Sequence, residues 1–499
     1  MQQPDINNFY HKGEPEKLVP VLKELPADLE TPVSLFLKLD KTPPSFLLES
    51  VERGEQVGRY SFIGTNPYLT LQTSRDEGII HYKGETKRIP LGISQEGPDA
   101  LHLIKKLLTQ RQVSRIPGLP GFFGGAVGYL SYDAVRSFEK LPDCPEDELQ
   151  LPESSFLFTD DLVIFDHVQH KMKIISNVPA GGEDITPRPD TRGGIDAIMA
   201  ALNDSLSPWP QVHFSSLDEK APSLTSNFTQ PQFEEGVKAA KEYILAGDAF
   251  QIVLSQRLRR KTNAEPFAIY RALRILNPSP YMFYIDFGGF QLIGSSPEML
   301  VKLEERRAET RPIAGTRPRG KTEEEDEVLI AELLADPKER AEHTMLVDLG
   351  RNDLGRVCHY GSVRTPLYMD IEKYSHVSHI VSSVQGELKP DYDAFDLLRA
   401  SFPAGTVSGA PKIRAMEIIN ELEKTKRGPY AGAVGYFGFG GNMDTCITIR
   451  TIVMIGDTVY FQGGAGIVAD SDPAREYEET MNKIKVLEEA VRLAESWKA

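Results

Sequence analysis

Residues 336–353 read DPKERAEHTMLVDLGRND, and the interpretation of the whole chain starts from this stretch. Asp336 followed by Pro337 is typical of a helix start, because an N-cap carboxylate accepts backbone N–H groups and proline supplies a helical φ at the first position. The residues that follow continue an amphipathic helix. Glu339 and Glu342 stand three positions apart, so they share one face of that helix.

A second stretch, DPAREYEE at residues 472–479, repeats the arrangement near the end of the chain. Glu476 and Glu479 share a face of its predicted helix. Like charges at this spacing repel by roughly a few tenths of a kcal/mol, and bringing the two acidic faces together raises that cost unless a cation lies between them. Carboxylates without a nearby cysteine or histidine pair suit Mg²⁺, so the two helix starts are consistent with a magnesium site.

The same acidic residues also have a purely structural interpretation. Glu339 occupies the third position of a capping box with Asp336, and carboxylates in a first turn favour the helix dipole. Spacing alone leaves both the metal site and simple helix capping open.

Outside these stretches, the pattern divides the chain into three parts. Residues 1–180 are predicted as a β-rich unit, 181–230 as a linker or surface excursion, and 231–499 as a unit in which helices and strands mix and the candidate chemistry concentrates. The predicted strands include SLFLKL (34–39), YLTLQT (68–73), SFLFTDDLVIFD (155–166), KMKIIS (171–176), QIVLSQRL (251–258), YMFYIDF (281–287) and HIVSSVQGEL (379–388). The predicted helices are 99–109, 195–206, 233–247, 266–276, a long one near 323–349, 411–424 and 473–499.

Composition excludes several classes of function. The chain has 56 basic and 72 acidic residues, a net charge of -16, so no nucleic-acid partner is expected. The basic runs 257–261 and 424–427 are short. No stretch approaches the ~20 apolar residues of a membrane span. Cys144, Cys358 and Cys446 lie far apart without a C-x-x-C pair, which predicts a reducing, cytoplasmic location.

Four motifs in a fixed order resemble those of the chorismate-utilising enzymes. They are ERAEHTMLVDLGRND (339–353), PAGTVSGAPK (403–412), GGAGIV (463–468) and ETMNK (479–483), and LLES (47–50) extends the likeness towards the beginning of the chain. Among these enzymes the chain looks most like the large subunits, or component I, of anthranilate synthases. The resemblance implies an α+β fold, a four-layer sandwich of two large antiparallel β-sheets with helices on the outer faces.

The resemblance also implies a reaction and a metal. Chorismate and ammonia give anthranilate, pyruvate and water, a lyase reaction that opens tryptophan biosynthesis, with Mg²⁺ on the ring carboxylate. Glu342 and Glu479 are the implied metal ligands, and Glu339 and Glu476 orient metal-bound water. Glu298 is the implied general acid, which protonates the departing hydroxyl.

Further site residues follow from the same likeness. His379 is assigned to the pyruvate-eliminating step, and the enolpyruvyl carboxylate is placed against Gly466, Tyr430 and Arg450. The arginine supplies a planar fork that grips a carboxylate at two points. The implied catalytic residues are Glu298, His379 and Thr406, and the implied substrate-binding residues are Gln251, Gly315, Thr316, Tyr430, Arg450, Gly464, Gly466 and Lys483.

His379 has a neighbouring histidine, and the two do not form a metal pair. His376 and His379 are separated by an odd number of positions in a segment that alternates like a strand. A strand sends such residues to opposite faces, so they do not hold one metal ion jointly.

Two positions separate the sister reactions of the family. Relatives that add water to chorismate carry a lysine where Gln251 stands, and the relative that makes 4-amino-4-deoxychorismate uses a lysine nucleophile where Ala314 stands. An amide is not a base and alanine forms no covalent adduct. Direct amination at C2 is therefore favoured over the alternatives, an aminodeoxychorismate synthase or an isochorismate synthase. An amino-acid-sensing module without catalysis is the alternative from another class.

The resemblance finally implies a partner and an inhibitor. No cysteine stands in a G-x-C-x-G setting, so ammonia is expected from a separate glutamine amidotransferase subunit, component II, in a heterotetramer. L-Tryptophan is the implied feedback inhibitor. Its pocket is assigned to the junction between the first and last units, at Glu49, Ser50, Pro280, Tyr281 and Met282, with ordinary packing as the alternative. The resemblance thus implies that residues 1–180 are a regulatory unit and residues 231–499 a chorismate-binding catalytic unit.

Overall fold

The computed structural model describes residues 15–39, 42–50, 58–92, 98–114, 116–142, 145–180, 194–205, 223–373 and 377–497. The α-helices of this part are α1 (Pro32–Lys38), α2 (Ala100–Thr109), α3 (Ile195–Leu202), α4 (Gln230–Leu245), α5 (Pro266–Leu276), α6 (Glu323–Ala335), α7 (Pro337–Val357), α8 (Ala394–Ser401), α9 (Lys412–Leu422) and α10 (Pro473–Glu495). The strands are β1 (Glu16–Pro26), β2 (Ser45–Glu49), β3 (Tyr60–Thr65), β4 (Leu69–Thr73), β5 (Glu77–Tyr82), β6 (Glu85–Pro90), β7 (Arg111–Val113), β8 (Gly125–Leu130), β9 (Ser154–Thr159), β10 (Asp161–Asp166), β11 (Lys171–Pro179), β12 (Thr225–Ser226), β13 (Gln251–Lys261), β14 (Tyr281–Asp286), β15 (Gln291–Ser296), β16 (Met299–Glu304), β17 (Arg307–Thr310), β18 (Ile313–Pro318), β19 (Arg364–Lys373), β20 (Val377–Glu387), β21 (Gly409–Ala410), β22 (Ala433–Gly438), β23 (Met443–Ile447), β24 (Thr451–Ile455) and β25 (Thr458–Ile467).

In the described ranges the strands form two sheets, of 13 and 12 strands. The first sheet has the order β12-β13-β25-β24-β15-β14-β2-β3-β10-β11-β1-β7, and β21 also pairs with β13. The second has the order β18-β20-β17-β16-β23-β22-β8-β9-β4-β5-β6, and β19 also pairs with β20. Neighbouring strands pair antiparallel apart from β1 and β7, whose short pairing is parallel.

Three apolar layers hold the sheets and helices together. Between the sheets, Phe46 and Phe283 of the first sheet join Tyr129 and Val434 of the second in one buried cluster. A second cluster packs α1, α5 and α10 on the outer face of the first sheet, and a third packs α2, α7 and α8 on the outer face of the second. Buried side chains of this kind contribute about 1.5–3 kcal/mol each relative to exposure. The predicted four-layer α+β sandwich is confirmed.

Both sheets contain strands from the beginning and from the end of the chain. In the first sheet Met282 of β14 lies opposite Glu49 of β2, and in the second Val434 of β22 lies opposite Tyr129 of β8. Each sheet is therefore continuous across the predicted boundary between units 1–180 and 231–499, and that division stays a prediction.

One predicted strand is wrong. Most of residues 34–39 lie in α1, because Thr31 caps that helix through the backbone N–H of Ser34 and Pro32 stands at its first position. The apolar alternation that suggested a strand instead places Leu35 and Phe36 in the core. Local capping chemistry outweighs a short apolar run.

The long helix predicted near 323–349 is also wrong, because it is two helices. Asp336 ends α6 and is at the same time the N-cap of α7. Pro337 lacks the N–H that would continue α6, whereas its fixed φ suits the first position of a new helix.

Two further sequence expectations concern cysteines and membranes. Cys358 and Cys446 are buried free thiols, and Cys144 lies outside the described residues. No helix in the described ranges has the length and apolar character needed to cross a membrane.

Candidate active site

The two acidic helix starts are built as the sequence predicts. The Asp336 carboxylate accepts the backbone N–H groups of Lys338 and Glu339 at 2.9 and 3.3 Å. The Asp472 carboxylate accepts the backbone N–H of Arg475 at 3.0 Å. Because α7 packs on β18 and β20 while α10 packs on β25, each sheet presents one acidic helix start.

The acidic first turns of α7 and α10 lie close enough to interact. Burial raises the pKa of Glu342, and the negative charges of Glu339 and Glu479 raise it further. Burial also raises the pKa of Glu476, with Glu479 adding to the effect. Four carboxylates from two helices therefore share one electrostatic environment.

Basic residues balance part of this negative charge. Arg317 donates to Asp336 at 3.0 Å and to Glu339 at 3.2 Å, so the Glu339 side chain pairs with an arginine of β18. Lys483 lies one helical turn beyond Glu479 and donates to it at 2.6 Å. These ion pairs leave Glu342 as the member of the group most affected by repulsion and burial.

The donor set suits a hard divalent cation with few protein ligands. In the described part of the chain no group of three or more His, Cys, Asp or Glu residues has a metal-binding arrangement. Mg²⁺ commonly takes one or two carboxylates and completes its shell with water and substrate oxygens. The repulsion that Glu339 and Glu479 exert on Glu342 is the cost that such a cation offsets, so these residues fit Mg²⁺.

Gln251, the first residue of β13, reaches this acidic group. Its side-chain N–H donates to Glu342 at 2.9 Å. A Cβ added to Gly466 would lie 2.6 Å from the Gln251 amide nitrogen, so glycine at position 466 leaves the space that the Gln251 amide occupies. The Gln251 amide oxygen is buried and has no hydrogen-bond partner within the described residues. Buried polar atoms are usually paired, which indicates that this oxygen faces a bound molecule or water.

Glu298 follows β15 and is the most perturbed carboxyl of the site. It is 8 % exposed, and burial raises its pKa to about 8 against the opposing effects of the Thr406 hydroxyl and the Lys483 ammonium. Its backbone carbonyl accepts the N–H of Ile447 at 3.0 Å, which fixes the segment. A carboxyl with this pKa is protonated at neutral pH and so can donate a proton.

His379 lies in β20 as predicted, and its ring is held by the bulge at Gly315 in β18. The ring Nδ1 lies 3.0 Å from both the Gly315 carbonyl oxygen and the Thr316 hydroxyl. Burial lowers the pKa of His379, so the neutral form prevails. Since a carbonyl only accepts, Nδ1 carries the hydrogen and Nε2 carries the lone pair of a base. His376 lies outside the described residues.

The predicted carboxylate-binding residues meet around Lys483. Lys483 donates to the Gly464 carbonyl at 2.9 Å, and its own carbonyl accepts from Arg450 at 2.6 Å. The Tyr430 hydroxyl lies against Gly464, where an added Cβ would approach it to 2.6 Å. Burial raises the pKa of Tyr430 to about 12, so its hydroxyl stays a donor.

These contacts join the sequence-predicted catalytic, substrate and metal residues into one connected group. One series of neighbours runs from Gly466 through Gln251, Glu342 and Glu479 to Lys483. From Lys483 it continues to Arg450, to Gly464 with Tyr430, and electrostatically to Glu298, which interacts with Thr406. Glu339, next to Glu342, continues through Gly315 to His379 and Thr316. Glu476 adjoins Glu479. Residues that are more than 200 positions apart in sequence are thus assembled by the two sheets.

Sequence reasoning missed a buried ion pair beneath this group. Arg427 belongs to the basic run 424–427, about which we noted from the sequence only that it is short. In the structure Arg427 is 2 % exposed and donates to Glu423 at 2.6 and 2.8 Å. The only signal was the four-residue spacing of the two charges, which is common on exposed helices.

The predicted inhibitor residues line a separate cavity of about 1600 Å³. Glu49, Ser50, Pro280, Tyr281 and Met282 all contribute to its wall at the junction of β2 with β14. The Ser50 hydroxyl is buried and has no partner within the described residues. The wall is thus able to offer a hydrogen bond to a small polar molecule.

The cavity touches the catalytic segment without sharing its residues. Pro297 and Met299 line the cavity, and Glu298 between them is not part of the wall. Tyr281 of the cavity wall lies opposite Ser296 in the β14–β15 pair. The proposed acid and the cavity therefore lie on two sides of one short segment.

Comparison with known proteins assigns the family. The sequence profile of the chorismate binding enzymes matches residues 52–489. The chain belongs to this family. The group around Glu298 and the acidic helix starts is the candidate active site of this chorismate-binding enzyme, and the residues that form it lie within the matched range.

Several relatives of this chorismate-binding enzyme have names and structures. It is 48% identical to "Anthranilate synthase component 1" of Acetivibrio thermocellus, with 99% of each chain covered, and 49% identical to that of Aquifex aeolicus, with 96% and 95% covered. The crystal structure of anthranilate synthase component I from Streptococcus pneumoniae TIGR4 has a TM-score of 0.74 and 34% identity, covering 93% of this chain and 99% of that one. An isochorismate synthase from Escherichia coli, at 18% identity, a TM-score of 0.69 and 98% coverage of each chain, shares the fold.

Proposed function

We propose that this chain is component 1 of an anthranilate synthase and converts chorismate and ammonia into anthranilate, pyruvate and water. The observation that carries the proposal is Glu298, a buried carboxyl whose pKa of about 8 keeps it protonated beside Lys483. In a chain nearly half identical to named anthranilate synthases, such an acid has a defined task. It protonates the hydroxyl that leaves the ring.

The first stage adds nitrogen at C2 and removes the C4 hydroxyl. Ammonia attacks with its own lone pair and needs no base beforehand. As the C–N bond forms at C2, the C1–C2 double bond shifts to C1–C6, the C5–C6 double bond shifts to C4–C5, and the C4–O bond breaks. The nitrogen then loses one proton to become the neutral amine. Glu298 donates its proton to the departing oxygen, so the group leaves as water. Arg450, Tyr430 and Lys483 supply donors and positive charge for the enolpyruvyl carboxylate.

The second stage eliminates the enolpyruvyl group and makes the ring aromatic. The C2 proton is removed, the C3–O bond breaks, and enolpyruvate becomes pyruvate. His379 is neutral and presents the Nε2 lone pair, which suits it to proton movement at this stage. Chorismate and ammonia thereby account for all atoms of anthranilate, pyruvate and water.

Glu342 and Glu479 are the residues that would hold Mg²⁺, with Glu339 and Glu476 beside them. A bound Mg²⁺ draws electron density from the ring through its carboxylate and so favours attack by ammonia. Unless a cation compensates their charge, these four carboxylates repel the ring carboxylate of chorismate.

Two side chains disfavour the sister reactions. Ala314 pairs with Ile380 in the second sheet, where a lysine nucleophile would be needed for aminodeoxychorismate formation. Gln251 donates its amide to Glu342, and an amide does not activate water. Both features support amination at C2.

Regulation, partner and location complete the proposal. L-Tryptophan binds the cavity at Glu49, Ser50, Pro280, Tyr281 and Met282 and inhibits the enzyme. A glutamine amidotransferase, component II, supplies ammonia in a heterotetramer, a proposal supported by the relatives' designation as component 1. The buried free thiols of Cys358 and Cys446 support a reducing, cytoplasmic location.

The deciding experiment mixes the purified chain with chorismate, Mg²⁺ and an ammonium salt at alkaline pH and follows anthranilate fluorescence. Anthranilate formation that requires both ammonia and Mg²⁺ is the expected result. Chromatography of the products distinguishes isochorismate or aminodeoxychorismate, either of which would contradict the proposal. Tryptophan binding without any turnover would instead favour the amino-acid-sensing alternative.

A further inference from the structure

Arg427 is among the largest fully buried side chains in the described part of the chain, and four hydrogen bonds use its guanidinium. Two go to the carboxylate oxygens of Glu423, at 2.6 and 2.8 Å. The others go to backbone carbonyls, that of Val407 at 2.6 Å and that of Val253 at 2.7 Å. The guanidinium carbon also lies 4.6 Å from the ring centre of Tyr132 and 5.8 Å from that of Tyr430.

Three of these contacts lie at or beside residues of the candidate active site. Val253 lies two positions after Gln251 in β13, so the two side chains point to the same face of the strand. Val407 follows Thr406 in the 3₁₀ turn Gly405–Val407. Tyr430 is itself a proposed contact of the substrate carboxylate. Arg427 thus connects three segments that are separate in sequence.

Glu423 ties the arginine to the first sheet. Its Oε1 accepts the backbone N–H of Ser255 at 2.7 Å and the Ser255 hydroxyl at 3.0 Å. Ser255 lies opposite Gly464 in the pairing of β13 with β25, and Gly464 is the glycine on which the Tyr430 hydroxyl rests. The ion pair therefore contacts β13 directly, at the residue that pairs with Gly464 of β25.

The energetics favour a role in geometry over a role in stability. Burying two charges carries a desolvation penalty that their attraction often fails to exceed. Replacing a buried ion pair by apolar residues of similar volume often leaves the folded state equally stable or more stable. A planar guanidinium nevertheless fixes the direction of every bond that it donates, which lysine does not. The four hydrogen bonds of Arg427 therefore fix the direction of the guanidinium relative to Glu423 and to the Val407 and Val253 carbonyls.

We infer that Arg427, oriented by Glu423, is a positioning residue that holds Gln251, Thr406 and Tyr430 in register for chorismate. It does not touch the substrate and acts through these three residues. The inference rests on the proposed function, because it concerns the geometry of the same substrate site.

Arg427→Lys tests the inference, with Arg260→Lys as its matched control. Arg260 is also a buried arginine, and it lies in β13 at the opposite end of the strand from Gln251. It pairs with Glu495 at 2.7 Å and lies near Glu488. Both variants remove a buried guanidinium fork, and both should lower the melting temperature. Only Arg427→Lys should raise KM and Kd for chorismate, by about tenfold or more, with a smaller change in kcat.

The outcomes separate this inference from the proposed function. Wild-type turnover together with unchanged KM and Kd in Arg427→Lys would overturn the inference alone, as would equal changes in the two variants. Absence of chorismate binding by the wild type would overturn both. If Arg427→Lys does not fold, Glu423→Gln, which keeps the shape and loses the charge, is measured against the same criteria.

Discussion

Gln251 donates its side-chain N–H to Glu342 at 2.9 Å, which links the start of β13 to the acidic face of α7. The bond joins β13 of the first sheet to α7, the helix that packs on the second sheet. It places the residue that distinguishes the sister reactions directly on a proposed metal ligand. Substrate choice and metal binding are consequently expected to respond to the same local changes.

Gly466→Ala should weaken this link. The new Cβ would lie 2.6 Å from the Gln251 amide nitrogen, so the amide has to leave Glu342. We expect anthranilate formation to fall by about tenfold or more and the Mg²⁺ requirement to shift, measured as initial rate against MgCl₂ concentration. Gly236→Ala is the control, because its Cβ would meet Leu254 at an ordinary 3.7 Å. Unchanged kinetics in Gly466→Ala would contradict the prediction.

Glu298→Gln should reduce turnover without abolishing it. Loss of a general acid typically costs about 10²- to 10⁴-fold in rate. Because the pKa of Glu298 is about 8, the wild-type kcat/KM should fall as the pH rises through that value and the proton is lost. The profile is recorded at constant free ammonia, since ammonia itself titrates in this range. A wild-type profile that stays level through this region would argue against Glu298 as the acid.

The same substitution should change stability in the opposite direction. Burial raises the pKa of folded Glu298 from the ordinary 4.5 to about 8, so the folded protein binds this proton more tightly than the unfolded chain. Its contribution is complete below the unfolded pKa and is lost as the pH rises through the folded one. Glutamine carries no charge, so above about pH 8 the free energy of unfolding of Glu298→Gln should exceed that of the wild type by on the order of a few kcal/mol. The variant should therefore melt at a higher temperature in this range. Equal melting curves across this range would refute the assignment of a raised pKa.

Glu479→Gln should remove Mg²⁺-supported turnover while leaving the melting temperature nearly unchanged. The Glu479 side chain is 49% exposed and pairs with Lys483, and exposed pairs contribute only about 0–1 kcal/mol. Magnesium titration by calorimetry gives a second readout that does not depend on activity. Glu478→Gln, at the preceding position and also exposed, is the control and should behave as the wild type. A large melting shift with activity preserved would favour the helix-capping interpretation.

Ser50→Ala and Ser50→Phe should relieve inhibition by tryptophan at little cost to catalysis. The Ser50 hydroxyl is buried at the cavity wall without a partner in the described residues, so alanine removes a hydrogen bond and phenylalanine fills the space. Inhibition is measured as the tryptophan concentration that halves anthranilate formation. Ser74→Ala, in an exposed turn, is the matched change. Inhibition that persists in both Ser50 variants would remove tryptophan from this cavity.

Local signals predicted much of the fold. The Asp-Pro pairs at 336–337 and 472–473 gave helix starts that the structure confirms, because capping depends on neighbouring residues. The errors arose where two local signals competed. At 34–39 an apolar run suggested a strand and the cap at Thr31 decided for a helix. Near 336 the helical pattern continued on both sides of a proline that divides it.

The site was only partly accessible from the sequence. Motif likeness named Glu298, but its pKa follows from burial beside Lys483, a residue that comes 185 positions later in the numbering. Arg427 shows the same limit more clearly, because nothing in a short basic run indicates that one member lies in the interior. Burial is a property of the assembled sheets and is not visible in local pattern.

The position of Glu298 between Pro297 and Met299 has a consequence for control. Pro297 and Met299 line the cavity and Glu298 between them is the proposed acid, so a ligand that stiffens the wall is separated from that acid by a single peptide unit. Inhibition by such a ligand can then operate through acidity as well as through shape. Profiles of rate against pH, recorded with and without the ligand in the cavity, would show such a change in the pKa of Glu298 as a shift of the alkaline limb.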